Sequence, residues 1–251
     1  MSFGAIAGDY DRLRPPPAPE AVDWLVPERC QVAIDLGAGT GLLSRALARK
    51  VPRVVAVEPD PRMAAVLRAR SPGVRVVRGR GEQIPARDGS ADGVFVSSAW
   101  HWMDPERAPA QVWRVLRPGG CFGMIWTGLD RNEIWPEGAD WWRDTSLRDR
   151  TGDQAPGGPR RRREIRLPEG LFEGAETAMF GYQRAMTISD IVAMLATYSG
   201  VITASPQDRE VRLASARAAL EQRFPGAQTV SVPARSMCWR AHRSQTLSQP
   251  A

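Results

Sequence analysis

Two acidic residues stand where short apolar runs end. Asp35 follows Val32-Ala33-Ile34 and precedes Leu36 and three alternate glycines, Gly37, Gly39 and Gly41. Glu58 closes the run Val54-Val55-Ala56-Val57 and precedes Pro59-Asp60. A carboxylate at a strand tip accepts hydrogen bonds well, and Glu58 is placed to take those of ribose hydroxyls. Glycines are needed where the backbone turns sharply and must approach a ligand with no Cβ in the way. The chemistry this pattern serves is nucleotide binding. It is not the dinucleotide fingerprint G-x-G-x-x-G, whose third glycine, counted from Gly37, would fall at Leu42; the sequence has it at Gly41. No Ser-His-Asp set, phosphate loop or metal-ligand spacing is evident.

The elements that must position these residues are read from periodicity. Apolar runs of strand length fall at 31–36, 53–58, 74–78, 93–98 and 121–127. Helical stretches fall at 42–50, 61–70 and 105–116. Strand and helix alternate, and the strands are apolar on both faces. That predicts a mostly parallel sheet covered on both sides, an α/β, Rossmann-like doubly wound fold. Residues 1–30 are expected to form an N-terminal arm. Pro15-Pro16-Pro17 and Pro19 argue against helix there and for an extended segment, followed by a short helix at 20–26. Arg117-Pro118-Gly119-Gly120 reads as a turn feeding the fifth strand, and Trp126 as lying at that strand's end. Residues 128–170, rich in Trp, Asp, Arg, Gly and Pro, read as an insertion over the site, a lid. Residues 171–243 complete the sheet, with strands at 178–186 and 229–240 and helices at 188–198 and 208–223. Residues 244–251 are a polar tail, expected to lack fixed structure.

Five motifs occur in one order: Asp35-Leu36-Gly37-Ala38-Gly39-Thr40-Gly41; Glu58-Pro59-Asp60; Gly81-Glu82-Gln83-Ile84-Pro85; Asp88-Gly89-Ser90-Ala91-Asp92; and Leu116-Arg117-Pro118-Gly119-Gly120. This series resembles the successive motifs of class I S-adenosylmethionine-dependent methyltransferases, and most of all their small-molecule branch of the ubiquinone-biosynthesis type. The resemblance covers residues 3–127 strongly and the rest in outline. It implies a seven-stranded sheet whose last strand is antiparallel, the 31–127 segment as the cofactor-binding core, and S-adenosylmethionine as cofactor. It implies methyl transfer to oxygen, nitrogen or carbon of a small molecule, in small-molecule biosynthesis. Three alternatives remain open on the residues alone. One is an enzyme of this fold catalysing a non-methylating step such as cyclisation; the second is a non-catalytic partner subunit; the third is an RNA methyltransferase, favoured by the Arg160–Arg163 cluster and disfavoured by the lack of an added RNA-binding module.

By the same resemblance, Gly37, Gly39 and Gly41 hold the cofactor's methionine half, Asp35 orients the turn or meets the amino group, and Glu58 with Pro59 takes the ribose. Gly81 and Glu82 meet the adenine edge, and Ser98 borders the cofactor. Tyr10 and Arg14, in Asp9-Tyr10-Asp11-Arg12-Leu13-Arg14-Pro15, resemble the entrance segment that closes over it. An aromatic-His-Trp stretch like Trp100-His101-Trp102 occurs in relatives that methylate small carboxylates. His101 is therefore the candidate catalytic residue, as a general base, as a group orienting a substrate anion, or as packing against the cofactor. Trp100, His101, Trp126 and Trp135 are the expected substrate contacts, since aromatic walls suit a flat or apolar substrate and can steady a sulfonium.

Composition bounds the alternatives. The chain has 251 residues, enough for one large α/β domain with an insertion. Its net charge is +6, yet all but one of the basic residues, Lys50, are Arg. An arginine-rich, Ala-, Gly- and Pro-rich composition accounts for that excess, and a nucleic-acid partner is not expected. Arg160-Arg161-Arg162-Arg163, after Gly157-Gly158-Pro159, reads as the solvated edge of the insertion. Three scattered cysteines suggest a reducing compartment. With no signal peptide and no apolar run of membrane-spanning length, the expectation is a cytoplasmic protein without a membrane partner. Nine tryptophans, several in or near the insertion, mark it as the surface for a homodimer or a partner protein.

Overall fold

The computed structural model describes residues 3–135, 165 and 167–245. Most of the expected lid, the Arg160–Arg163 cluster and the end of the expected tail lie outside these residues. In chain order the elements are α1 (Ala7–Leu13), α2 (Pro19–Leu25), β1 (Val32–Leu36), α3 (Leu42–Leu47), β2 (Arg53–Val57), α4 (Pro61–Arg70), β3 (Arg75–Val77) and β4 (Ala91–Ser97). They continue with α5 (Arg107–Val115), β5 (Leu116–Leu129), α6 (Arg131–Ile134), β6 (Phe172–Met186), α7 (Ile188–Leu195), α8 (Ser199–Ile202), α9 (Pro206–Arg223) and β7 (Val230–Arg243).

Seven strands form one sheet in the order β3-β2-β1-β4-β5-β7-β6. β1 pairs in parallel with β2 and β4, β2 with β3, and β4 with β5. β7 runs the other way. Thr127 meets Ser236 and Asp130 meets Pro233, so numbers rise along one strand as they fall along the other. Along β6, Ser231 meets Gln183 and Arg240 meets Glu176 in the same sense. The chain order reverses between β1 and β4, which opens a crevice at the carboxyl ends of β1 and β4 where ligands of such sheets bind.

The described residues fall into two compact units, drawn from 15–128, 166–182 and 235–251, and from 1–14, 129–165 and 183–234. The core of the first is built from strands apolar on both faces. Phe95 of β4 and Phe122 of β5 are both fully buried. A Cβ at Gly93 would lie 2.6 Å from the Phe95 ring, and one at Gly123 would lie 2.7 Å from Leu25. Glycine at these strand positions makes room for two large side chains. Burying each contributes about 1.5–3 kcal/mol. In the second unit Arg14 anchors the N-terminal helix. Its Nε donates to Thr197 Oγ1 and its Nη2 to the Thr197 carbonyl, both at 2.8 Å. The guanidinium lies 3.9 Å from the Tyr198 ring centroid and 5.0 Å from that of Tyr10.

Several expectations are corrected. The arm is not simply extended, because α1 precedes the prolines and a 3-10 turn (Phe3–Ile6) precedes α1. Pro19 begins α2 rather than blocking it, since the first helical position needs no N–H donor. β5 does not end at Trp126 but runs to Leu129. Arg117–Gly120 is a bulge inside β5: Ala91 pairs Leu116 and Gly93 pairs Cys121, and Gly119 takes φ +72°. β6 begins at Phe172 rather than near 178. Ser244, first residue of the expected tail, is buried, and its hydroxyl donates to Gly170 O at 2.6 Å.

Candidate functional site

The glycine turn after β1 is fixed from both sides. Gly37 and Ala38 donate their N–H groups to Val57 O, at 2.9 and 3.1 Å, which ties the turn to the end of β2. All three glycines hold positive φ, +70°, +58° and +88°. Side chains with a Cβ pay about 1–2 kcal/mol for that region. Their surroundings differ. A Cβ at Gly37 would sit 2.7 Å from Ala99 Cβ, and one at Gly41 would sit 2.8 Å from Leu67. A Cβ at Gly39 would meet no atom within 4 Å. The first and third glycines are required by protein packing, whereas the middle one faces open space.

Glu58 stands beside that opening. Its Oε2 accepts the Gly39 N–H at 2.7 Å and its Oε1 accepts the Asp60 N–H at 2.9 Å. It is buried, and burial raises its pKa against the effect of those two donors. Pro59 links it to Asp60, whose own carboxylate caps α4 by accepting from Arg62 N at 2.8 Å. Asp35 is fully buried in β1. Its Oδ2 accepts from Ser44 Oγ at 2.5 Å, and its Oδ1 has no partner. Burial pushes its pKa up to about 7 against the Ser44 bond, and the Glu58 charge adds to the rise. Thr40 is also buried, with Oγ1 unpartnered. Two orphaned polar atoms around one turn fit a ligand that brings both a donor and an acceptor. The S-adenosylmethionine amino and carboxylate groups are such a pair. Gly41 precedes α3 without a side-chain cap, so the first-turn amides of α3 have no capping side chain either.

The segment after β4 lies across the same region. Ser98 takes φ +53°, the one non-glycine positive φ among the described residues. Strain of this kind clusters at binding sites. Trp100–Trp102 form a 3-10 turn. Met103 follows, close to two glycines at once: its Cε lies 3.1 Å from a Cβ built at Gly37, and its Sδ 2.5 Å from one built at Gly81. Glu82 holds this segment through Oε1, which accepts the Asp104 N–H at 2.9 Å. Gly81 and Glu82 thus support the loop after β4. Met103, Ala99, Thr40 and Ser44 were not singled out from sequence. Only Thr40, between Gly39 and Gly41, carried a usable signal.

The aromatic candidates divide. Trp100 packs its ring 5.0 Å from that of Phe122, which lies 5.1 Å from Phe172 and 5.6 Å from Trp239. His101 is exposed, with its ring 4.8 Å from that of Trp102, itself 64% exposed. Trp126 is half-buried on β5. Trp135 belongs to the other unit and is buried there, as Tyr10 and Arg14 also belong to that unit. Burial raises the thiol pKa values of Cys30, Cys121 and Cys238 to about 11, 12 and 12, so none is a ready thiolate nucleophile. No helix among the described residues is long and apolar enough to cross a membrane.

A methyltransferase-domain family model matches residues 34–124. An uncharacterized methyltransferase of Mycobacterium tuberculosis (strain H37Rv) is 36% identical over 244 residues, covering 96% of this chain and 95% of its own. Among solved structures, a candidate type II methyltransferase from Anaeromyxobacter dehalogenans shares the fold with a TM-score of 0.65, at 24% identity over 92% of this chain and 97% of that one. A phosphoethanolamine N-methyltransferase of Haemonchus contortus, solved with S-adenosylhomocysteine, also shares it, with a TM-score of 0.56 and 15% identity over 98% of this chain and 61% of that one. A near-full-length relative, a seven-stranded sheet in this order and a glycine turn beside an acidic strand tip agree: the chain belongs to the class I S-adenosylmethionine-dependent methyltransferases.

Proposed function

We propose that this enzyme moves the methyl group of S-adenosylmethionine to an oxygen, nitrogen or carbon atom of a small molecule. The observation that carries the reading is the pair of orphaned buried atoms, Asp35 Oδ1 and Thr40 Oγ1, around a turn whose middle glycine faces open space. The cofactor, when bound, supplies a methyl group on a sulfonium, open to in-line displacement. The chain supplies alignment and exclusion of water. Glu58 is fixed by two backbone donors and retains lone pairs for ribose hydroxyls. Thr40 and the first-turn amides of α3 suit a carboxylate, and the acidity of Asp35 suits a cationic ligand. Gly81 and Glu82 are proposed to meet the adenine edge and Ser98 to border the cofactor, and Tyr10 and Arg14 are the entrance residues that the family resemblance gives. Trp100, His101 and Trp126 are the proposed substrate contacts, with His101 withdrawing or steering a proton where the acceptor needs it. Three free, buried cysteines suit a reducing, cytoplasmic setting.

The test has two stages. Calorimetry should show binding of both S-adenosylmethionine and S-adenosylhomocysteine. Methyl-labelled cofactor, incubated with panels of small carboxylates, phenols and amines, should then give labelled product with matching release of S-adenosylhomocysteine. Absence of cofactor binding by the folded protein would overturn the reading. Binding without release on any panel would favour a non-methylating use of the pocket.

A further inference from the structure

We infer that Met103 is a positioning residue: it joins the two proposed cofactor loops to the turn that carries Trp100, His101 and Trp102, so that an occupied cofactor site fixes the proposed substrate contacts in place. The inference rests on the cofactor reading above, which sets the cofactor against the glycine turn and the Gly81 loop.

Its basis is a socket at Gly81. The φ of Gly81 lies outside the left-handed region, so its backbone does not call for glycine. The space of a side chain there is taken by Met103. A Cβ built at Gly81 would lie 2.5 Å from Met103 Sδ, 2.9 Å from its Cγ and 3.4 Å from its Cβ. The same side chain ends at the other loop, with Cε 3.1 Å from a Cβ built at Gly37. One methionine thus lies along the loop after β3 and reaches the turn after β1. An unbranched thioether side chain suits such a gap. The residues on either side repeat both links. Asp104 donates its N–H to Glu82 Oε1 at 2.9 Å, and Ala99 Cβ lies 2.7 Å from the Cβ built at Gly37. Between these anchors the chain closes on itself. Trp102 N–H donates to Ala99 O at 3.0 Å and Met103 N–H to Trp100 O at 3.1 Å. The Trp100–Trp102 turn therefore follows Met103, and it presents His101 and Trp102 exposed.

A ligand held against the glycine turn and the Gly81 loop restrains both walls around Met103. Packed side chains transmit such a restraint, and the turn hydrogen-bonded to Met103 loses freedom with it. A second ligand that touches the turn then pays less to order it. Met103 makes this link at two points, through Sδ at Gly81 and through Cε at Gly37. A leucine at 103 would fill the socket but stop one atom short of the glycine turn.

Backbone hydrogen exchange with and without S-adenosylhomocysteine tests this. With the wild-type protein at about a hundredfold excess over Kd, exchange should slow by roughly tenfold or more both at 37–41 and at 99–104. Met103→Ala should keep the slowing at 37–41 and lose most of it at 99–104. If Met103 only packed, its loss would speed exchange at 99–104 equally in both ligand states and leave the ligand-dependent step intact. Met103→Leu, close in volume, guards against a misfolded Ala variant and should also lose most of the step at 99–104. No slowing at 99–104 in the wild-type protein, or a full step there in a folded variant, would overturn the inference. Failure of the folded wild-type protein to bind S-adenosylhomocysteine would overturn the function reading and this inference with it.

Discussion

Gly39 donates its backbone N–H to Glu58 Oε2 at 2.7 Å, so the acid at the tip of β2 holds the middle of the glycine turn. Its second oxygen accepts from Asp60 N at 2.9 Å. Two motifs that look independent in the sequence are therefore one structural unit. The carboxylate proposed to bind ribose also sets the shape of the turn proposed to hold the methionine end.

Glu58→Ala should then do two things at once. It removes a proposed ribose acceptor and leaves two backbone donors unpaired in a buried setting. Hydrogen bonds to a charged group contribute about 1.5–3 kcal/mol each, so cofactor affinity should drop at least about tenfold and unfolding by denaturant should begin earlier. Glu58→Gln keeps one acceptor and should fall between. A folded Ala variant with wild-type affinity by calorimetry would take Glu58 out of the site.

Gly39→Val and Gly81→Ala separate ligand space from protein packing. At Gly39 an added Cβ meets no atom within 4 Å, yet a branched side chain resists φ +58° and fills the open side of the turn. The variant should fold with reduced stability and lose cofactor binding. At Gly81 the added Cβ runs into Met103 Sδ. Overpacking there should cost about 1–3 kcal/mol, and Met103→Ala in the same chain should relieve much of it. Additive losses in that double-mutant cycle would mean that Met103 moves aside at no cost.

The parts legible in the sequence are those whose cause is local. α4 matches at both ends because Asp60 caps it and Pro61 begins it, two signals adjacent in the chain. β1 and β2 match within a residue because buried parallel strands read as unbroken apolar runs. The misses have distant causes. α1 is seven residues long and is held by residues nearly two hundred positions away, Arg12 by Asp190 and Arg14 by Thr197. The first half of β6, with Gly174 and two glutamates, has poor strand propensity and is ordered by pairing with β7. Met103 could not be read as a neighbour of Gly37 and Gly81, since only the fold brings the three together.

Asp35 should make the ligand-free protein lose stability as pH rises. Its folded pKa of about 7 lies above the ordinary value of about 3.9 expected for the unfolded chain. Between those values the native state holds a proton that the unfolded state does not, so stability falls through that window and is flat above it. Burial also raises Glu58, which adds in the same direction. Asp35→Asn should remove most of the slope, checked by denaturant titrations between about pH 5 and 8. An unchanged slope in that variant would assign the effect to Glu58 or to another group.

Arg14→Lys should not be tolerated as a conservative change. The planar guanidinium stacks on Tyr198 and gives two hydrogen bonds to Thr197, whereas an ammonium cannot do both. The loss should be about 1–3 kcal/mol, read from denaturant unfolding. If Arg14 also serves the entrance segment, cofactor affinity should fall in the same variant. A stability loss with unchanged affinity would leave Arg14 as an anchor of α1 only.

His101→Ala tests the chemistry at the carboxyl edge of the sheet. The ring is exposed beside Trp102, one turn from the strained Ser98 and two residues before Met103, which adjoins the glycine turn. A base acting on a phenol, amine or carbon acid should cost about a hundred- to ten-thousand-fold in kcat when removed, with cofactor affinity little changed. A group that only steers an anionic substrate should raise KM more than it lowers kcat. A carboxylate acceptor needs no base, so with such a substrate only the KM effect should appear. His101→Gln then separates the two roles. It retains a donor that can orient an anion but cannot take a proton, so it should rescue KM in the steering case and leave kcat low in the base case. Wild-type kinetics in both variants would place His101 among the packing residues of the loop after β4.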